Sequence, residues 1–185
     1  MKRQRTFQMV LGRCLVRGPK VGGSGRNPQD MTGRPIESLE IPEQSFLVDN
    51  LISEHSVNFL AGEEGCGKSL IAMNLALCVA VEADAWLGYA IVKHGKVLYL
   101  LNEGGFDNFA RRFKTMCNFL PARGNISNLI VPKEVPPLSE CWDTLNELCE
   151  QEKPCLIVVD CLYFTHNKDE NDSSEMKTLM RQFLA

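Results

Sequence analysis

The chain has 185 residues, 44% of them hydrophobic and 23% charged, with a net charge of −3; that balance belongs to ordinary globular proteins. No apolar run reaches the ~18 residues a membrane-spanning helix needs, and the longest, Leu70 to Val81, is interrupted by Asn74. The eight cysteines contain no C-x-x-C pair, and several lie inside apolar segments. They therefore read as free thiols packed like small hydrophobes, in a reducing compartment such as the cytoplasm, and not as a disulfide framework or a zinc site.

Residues 1–34 hold eight Lys/Arg and one acid, Asp30, a net charge of +7 against −10 for the rest. A solvated leader, an arm that touches nucleic acid or another polyanion, and a transit peptide all fit that asymmetry. Gly18, Pro19, Gly22, Gly23, Gly25, Pro28, Gly33 and Pro35 follow as a dense run of chain breakers. Residues 1–35 are accordingly expected to form a basic, flexible N-terminal arm and linker, and residues 36–185 the folded domain.

Within that domain strand and helix patterns alternate. Val57 to Ala61 is expected as a strand, then a Gly-rich turn, then a helix from Ser69 to Val81 that is apolar nearly all round, as for a helix packed inside a domain. A second strand, Lys96 to Leu101, precedes a helix from Phe106 to Leu120. A short strand near Asn128 to Val131 is bounded by Pro132, Pro136 and Pro137, and Ser139 to Gln151 reads as a helix with Ser139 and Glu140 as capping material. Cys155 to Val159 is a buried strand ending at Asp160. The last element is an amphipathic helix with Met176, Leu179, Met180, Phe183 and Leu184 on one stripe. Such alternation implies an α/β fold of three layers, with a mainly parallel sheet covered on both faces.

Gly62-Glu63-Glu64-Gly65-Cys66-Gly67-Lys68-Ser69 matches G-x-x-x-x-G-K-[ST], set between a strand and a helix as that motif requires. Its glycines let the backbone aim several N–H groups inward as an anion nest, and the helix start adds its positive dipole end. Lys68 would reach the β- and γ-phosphates of ATP, and the Ser69 hydroxyl would sit on Mg²⁺. Asp160, at the end of an apolar strand, can hold Mg²⁺ from the opposite side through its water shell. Glu103, just past the strand at Lys96 to Leu101, lies where α/β sheets bind ligands and could polarise an attacking water.

Taken together, GEEGCGKS, VLYLLNE and LIVVD resemble the RecA-like P-loop ATPases, most closely the hexameric plasmid replicative helicases of the RepA type. Phe46-Leu47-Val48-Asp49, Trp86-Leu87-Gly88 and Asp169-Glu170-Asn171-Asp172 add to the likeness, which covers about residues 43–185. The resemblance implies Lys68 and Ser69 as nucleotide and Mg²⁺ contacts, Glu103 as catalytic carboxylate and Asp160 as the second Mg²⁺-side group. Arg111 and Arg112 stand where such proteins often place an arginine in the following helix, though a solvated helix face fits them as well; the resemblance also points to single-stranded DNA as partner and to a homo-oligomeric ring. In such sheets a later strand separates the phosphate-loop strand from the aspartate strand, with a γ-phosphate sensor at its end and an arginine finger further on. The sequence stops at Ala185 before any such strand, so the resemblance implies a truncated sheet with a gap and weak turnover. A nucleotide-switched regulatory or partner-binding module is the alternative; a small-molecule kinase fits less well, for want of an Arg-rich lid. Asn167-Lys168-Asp169-Glu170 misses the guanine-specifying N-K-x-D at its last position, which favours adenine.

Overall fold

The computed structural model describes residues 5–12 (by their backbone), 43–102, 105–120 and 125–160. Three strands form the parallel part of its main sheet: β7 (Val97–Leu101), β8 (Leu129–Ile130) and β9 (Leu156–Asp160). β7 and β9 bury because their sequences, VLYLL and LIVVD, are apolar on both faces up to Asp160, the composition a doubly covered strand needs. β9 pairs with β7 from Val97↔Leu156 to Leu101↔Asp160, so Leu101 and Asp160 finish side by side at the carboxyl edge. The phosphate-loop strand β4 (Ser56–Glu63) runs the same way at the far side of the sheet.

Between β4 and β9 stands β1 (Arg5–Gly12), antiparallel to both neighbours. The full order is β4-β1-β9-β7-β8. This corrects two expectations. Residues 5–12 belong to the sheet and not to a flexible arm, and the position expected to stand open between β4 and β9 is filled. The physical reason is the same for both: two interior strand edges with unpaired N–H and C=O groups are costly, so a segment able to pair with both edges is drawn in. The sequence RTFQMVLG has the required pattern, with Phe7, Met9 and Leu11 alternating with Thr6 and Gln8.

Helix α1 (Lys68–Ala80) packs over β4, β1, β9 and β7 on one face, as the continuous apolar sequence KSLIAMNLALCVA predicts. Its residues Ala72, Met73, Leu75 and Ala76 share a core with Val97, Tyr99, Leu156 and Val158. The alternate residues Leu98, Leu100, Ile157 and Val159 form a second core with Leu138, Leu145 and Cys149 of α3 (Leu138–Glu152). Helix α2 (Phe106–Cys117) joins the α1 face through Phe109. Helices on both faces make the three layers expected from the alternating pattern.

The expected elements from Ser56 to Asp160 agree with those observed to within a few residues at each end. α3 starts at Leu138 with Pro137 at the cap and no side-chain capping bond, so Ser139 is not its N-cap. Two small hairpins are additional. β2 (Phe46–Val48) pairs with β3 (Ile52–Ser53), and β5 (Ala85–Trp86) with β6 (Tyr89–Ala90). In the second, Leu87 and Gly88 both have positive φ, of 50° and 87°, the backbone of a tight two-residue hairpin turn. Among the described residues no helix is long and apolar enough to cross a membrane. The expected last helix and the segment Asp169 to Asp172 lie outside the described residues.

Candidate functional site

Strand β4 ends at Glu63, and the turn that follows delivers the chain into α1 at Lys68. Gly65 and Gly67 make that turn with φ of 75° and 91°, the left-handed region that costs a glycine nothing. A Cβ at Gly62 would lie 2.8 Å from Cys66 Sγ, so a larger residue there would have to displace the exposed Cys66 thiol. Gly67 caps the start of α1 with no side-chain cap bond, and the first turn holds no acid, so the positive dipole end of the helix faces the loop and favours an anion there.

Lys68 is buried, 7% exposed. Its ammonium donates to the carbonyl oxygens of Gly62 at 3.1 Å and Glu63 at 2.7 Å, so the side chain folds back over its own loop. The next residue crosses the sheet: Ser69 Oγ donates to Asp160 Oδ1 at 3.1 Å. The other carboxylate oxygen, Oδ2, accepts a 2.5 Å bond from the Tyr99 hydroxyl. Tyr99 is fully buried and its ring meets Phe109 of α2 at 4.8 Å. Burial first, and then the Asp160 charge and its hydrogen bond, push the phenol's pKa far above its ordinary value, so Tyr99 is a donor at every working pH. The structure thus holds Asp160, 2% exposed, between one hydroxyl from α1 and one from β7.

A cavity of about 190 Å³ opens on this pair, walled by Ser69 and Asp160 on one side and by Asn108, Phe109 and Arg112 of α2 on the other. Leu101 and Gly105 also line it. Glu103, midway between them in sequence, lies outside the described residues, so its two flanks border the cavity while its own place is not given. Of the two arginines singled out from the sequence, Arg112 lines this cavity and Arg111 a separate groove between α2 and the segment around β8. At the same rim Asn102 N donates to Asp160 O at 2.8 Å, while both polar atoms of its side chain are buried without a partner among the described residues.

Sequence reasoning missed Tyr99 and Asn108. Tyr99 is the one hydroxyl in VLYLL, and it falls on Asp160's face only once the β7–β9 register is known, two residues before Leu101, the partner of Asp160.

The residues present fit a nucleotide with a divalent cation. A glycine turn leading into a helix start, with one ammonium, suits phosphates, and paired hydroxyl and carboxylate oxygens are the hard donors Mg²⁺ prefers. A family model described as an AAA domain matches residues 26–185. The chain belongs to that family. Searches of curated proteins and of solved structures each found no match. As an AAA domain the protein is a nucleotide-binding member of the P-loop ATPase superfamily.

The thiols of this AAA domain differ in reactivity. No disulfide joins the cysteines within the described residues; Cys66 is exposed in the phosphate loop, and Cys78, Cys149 and Cys155 are buried. Burial raises the Cys78 thiol and pushes Cys155 up to about 11, which starves both of reactive thiolate near neutral pH. N-ethylmaleimide is expected to modify Cys66 well ahead of the three buried thiols, and Mg·ATP to slow the reaction at Cys66 alone. Mass mapping of a partially modified sample checks this.

Proposed function

We propose that this AAA domain binds Mg·ATP on Gly62–Ser69 and hydrolyses it, as the engine of a DNA helicase or a related replication or recombination motor. The working unit would be residues 36–185 together with β1. The observation that carries the chemistry is the 3.1 Å bond from Ser69 to Asp160, two residues that line one cavity with Leu101 and Gly105, which stand two residues either side of Glu103 in sequence. In this reading Gly62, Glu63, Glu64, Gly65, Cys66 and Gly67 offer backbone N–H groups to the phosphates. Lys68 exchanges its two loop carbonyls for the β- and γ-phosphate oxygens. Ser69 and Asp160 would hold Mg²⁺, which when bound supplies positive charge to the phosphoryl oxygens. Tyr99 fixes the orientation of Asp160. Glu103 accepts a proton from the attacking water, and Arg112 offers its guanidinium to charge gathering on the γ-phosphate. The support for single-stranded DNA and for a ring of copies is the resemblance to plasmid replicative helicases and the +7 charge of residues 1–34.

The deciding experiment compares steady-state ATP turnover in the parent and in Glu103→Gln, with and without single-stranded DNA. Loss of about a hundredfold or more in kcat, with ATP affinity kept within about threefold, is the expected result for a group acting on the water. Equal turnover would remove Glu103 from the chemistry. Turnover unmoved by DNA, in a protein that retains no DNA on a filter, would remove the motor and leave an ATPase of another kind.

A further inference from the structure

We propose that Tyr99 selects the cation at this site: its hydroxyl commits one oxygen of the Asp160 carboxylate and leaves the other for a metal, which favours Mg²⁺ over the larger Ca²⁺. The proposal rests on the nucleotide reading above. The two carboxylate oxygens are used differently. Oδ2 accepts from the Tyr99 hydroxyl at 2.5 Å, whereas Oδ1 accepts from Ser69 Oγ at 3.1 Å. Ser69 lines the cavity and is the hydroxyl of the phosphate loop, so the oxygen it touches is the one a cation held by Ser69 would meet. Ca²⁺ takes more oxygen ligands than Mg²⁺, in looser geometry, and often both oxygens of one carboxylate. Mg²⁺ demands a tight octahedron, keeps several of its waters and needs few protein oxygens.

The register explains why a tyrosine stands at this position. Leu101, and not Tyr99, is the strand partner of Asp160. Tyr99 lies two residues back along β7 on the same face, roughly 8 Å from Asp160 by strand rise and spacing. Serine or threonine would fall short of the carboxylate, and phenylalanine would arrive without a donor. Tyr99 is fully buried, and its ring meets Phe109 of α2 at 4.8 Å. Breaking its bond to Asp160 would therefore strand a buried hydroxyl away from water. Asp160 is held as well, since its own carbonyl accepts from Asn102 N at 2.8 Å. A cation that claimed both carboxylate oxygens would have to displace the phenol, and one satisfied by a single oxygen would not. Tyr99 is thus a positioning residue that acts on the cation through Asp160.

Titration of a fluorescent, non-hydrolysable ATP analogue into the full chain, in Mg²⁺, in Ca²⁺ and in EDTA, tests this without reference to turnover. The parent is expected to bind at least about tenfold more tightly in Mg²⁺ than in Ca²⁺. In Tyr99→Phe that preference is expected to fall by about tenfold, the equivalent of one hydrogen bond to a charged group. Affinity in EDTA should stay within about threefold of the parent's, because the phosphate loop is untouched. A Tyr99→Phe chain that melts as a folded protein and keeps the parent's preference overturns the proposal. Equal loss in all three conditions overturns it too, since the tyrosine would then serve the fold alone. Tyr99→4-aminophenylalanine keeps a donor at the end of the ring and is expected to retain the parent's preference to within about threefold. It decides the matter if Tyr99→Phe does not fold, because preference lost with the donor in place overturns the proposal. A parent that binds the analogue equally well with either cation leaves Tyr99 nothing to select and overturns the proposal alone. A folded parent that binds it in none of the three conditions overturns the nucleotide reading itself.

Discussion

Lys68→Ala is expected to weaken Mg·ATP binding by a hundredfold or more and to leave the fold standing. The ammonium is the one side-chain cation in the phosphate loop, it is buried, and it already donates to the carbonyls of Gly62 and Glu63. On binding it trades those neutral acceptors for phosphate oxygens, and charge-assisted bonds contribute about 1.5–3 kcal/mol each. Two such bonds lost correspond to roughly 3–6 kcal/mol, which is about two to four orders of magnitude in affinity. Gly62 is half-buried and Glu63 exposed, so water can reach the carbonyls the alanine would leave behind, and the cost in stability is expected to stay near ~1 kcal/mol. Titration calorimetry with Mg·ATP, beside a thermal melt of each protein, separates the two effects. Unchanged affinity in a folded variant would show that the loop does not hold phosphates.

The second large effect is expected at Asp160. Asp160→Asn keeps an oxygen to accept from Ser69 or Tyr99 but gives up the charge that favours Mg²⁺. Turnover should fall about a hundredfold or more, with an increased demand for Mg²⁺. Asp160→Ala does something further. It strands the buried Tyr99 hydroxyl, whose 2.5 Å partner is gone, and should destabilise the fold by about 1–3 kcal/mol beyond the asparagine variant. Urea unfolding of the two variants together with Mg²⁺-dependent turnover checks both halves. If the Asp160→Asn and Asp160→Ala chains unfold at the same urea concentration, Tyr99 does not depend on the carboxylate for its bond.

Much of this was legible in the residues. The phosphate loop announces itself because glycine spacing, lysine and hydroxyl are dictated together by one ligand, and the strands ending at Leu101 and Asp160 stand out because both faces are apolar. β1 was not legible as a sheet strand. Its alternation of Phe7, Met9 and Leu11 is real, but the basic residues around it and the breakers after Gly18 read more strongly as an arm. Its pairing also depends on two strands far away in sequence, β4 and β9. The hairpins β2–β3 and β5–β6 escaped for another reason: strands of two or three residues are too short to show a period. The part played by Tyr99 needed a register, which no single strand contains.

The two alternating cores of β7 and β9 also govern how this protein can vary. Val97, Tyr99, Leu156 and Val158 face the helix that begins in the phosphate loop, while Leu98, Leu100, Ile157 and Val159 face α3. Neighbouring residues on one strand thus answer to different constraints. Changes under α3 can alter how much denaturant the fold withstands while the spacing between loop and carboxylate is kept. Changes one residue away along the same strand disturb that spacing directly. Robustness and the geometry of the Ser69–Asp160 pair are therefore separable at single-residue resolution along these two strands, and drift or engineering can act on the former from the α3 side of the sheet.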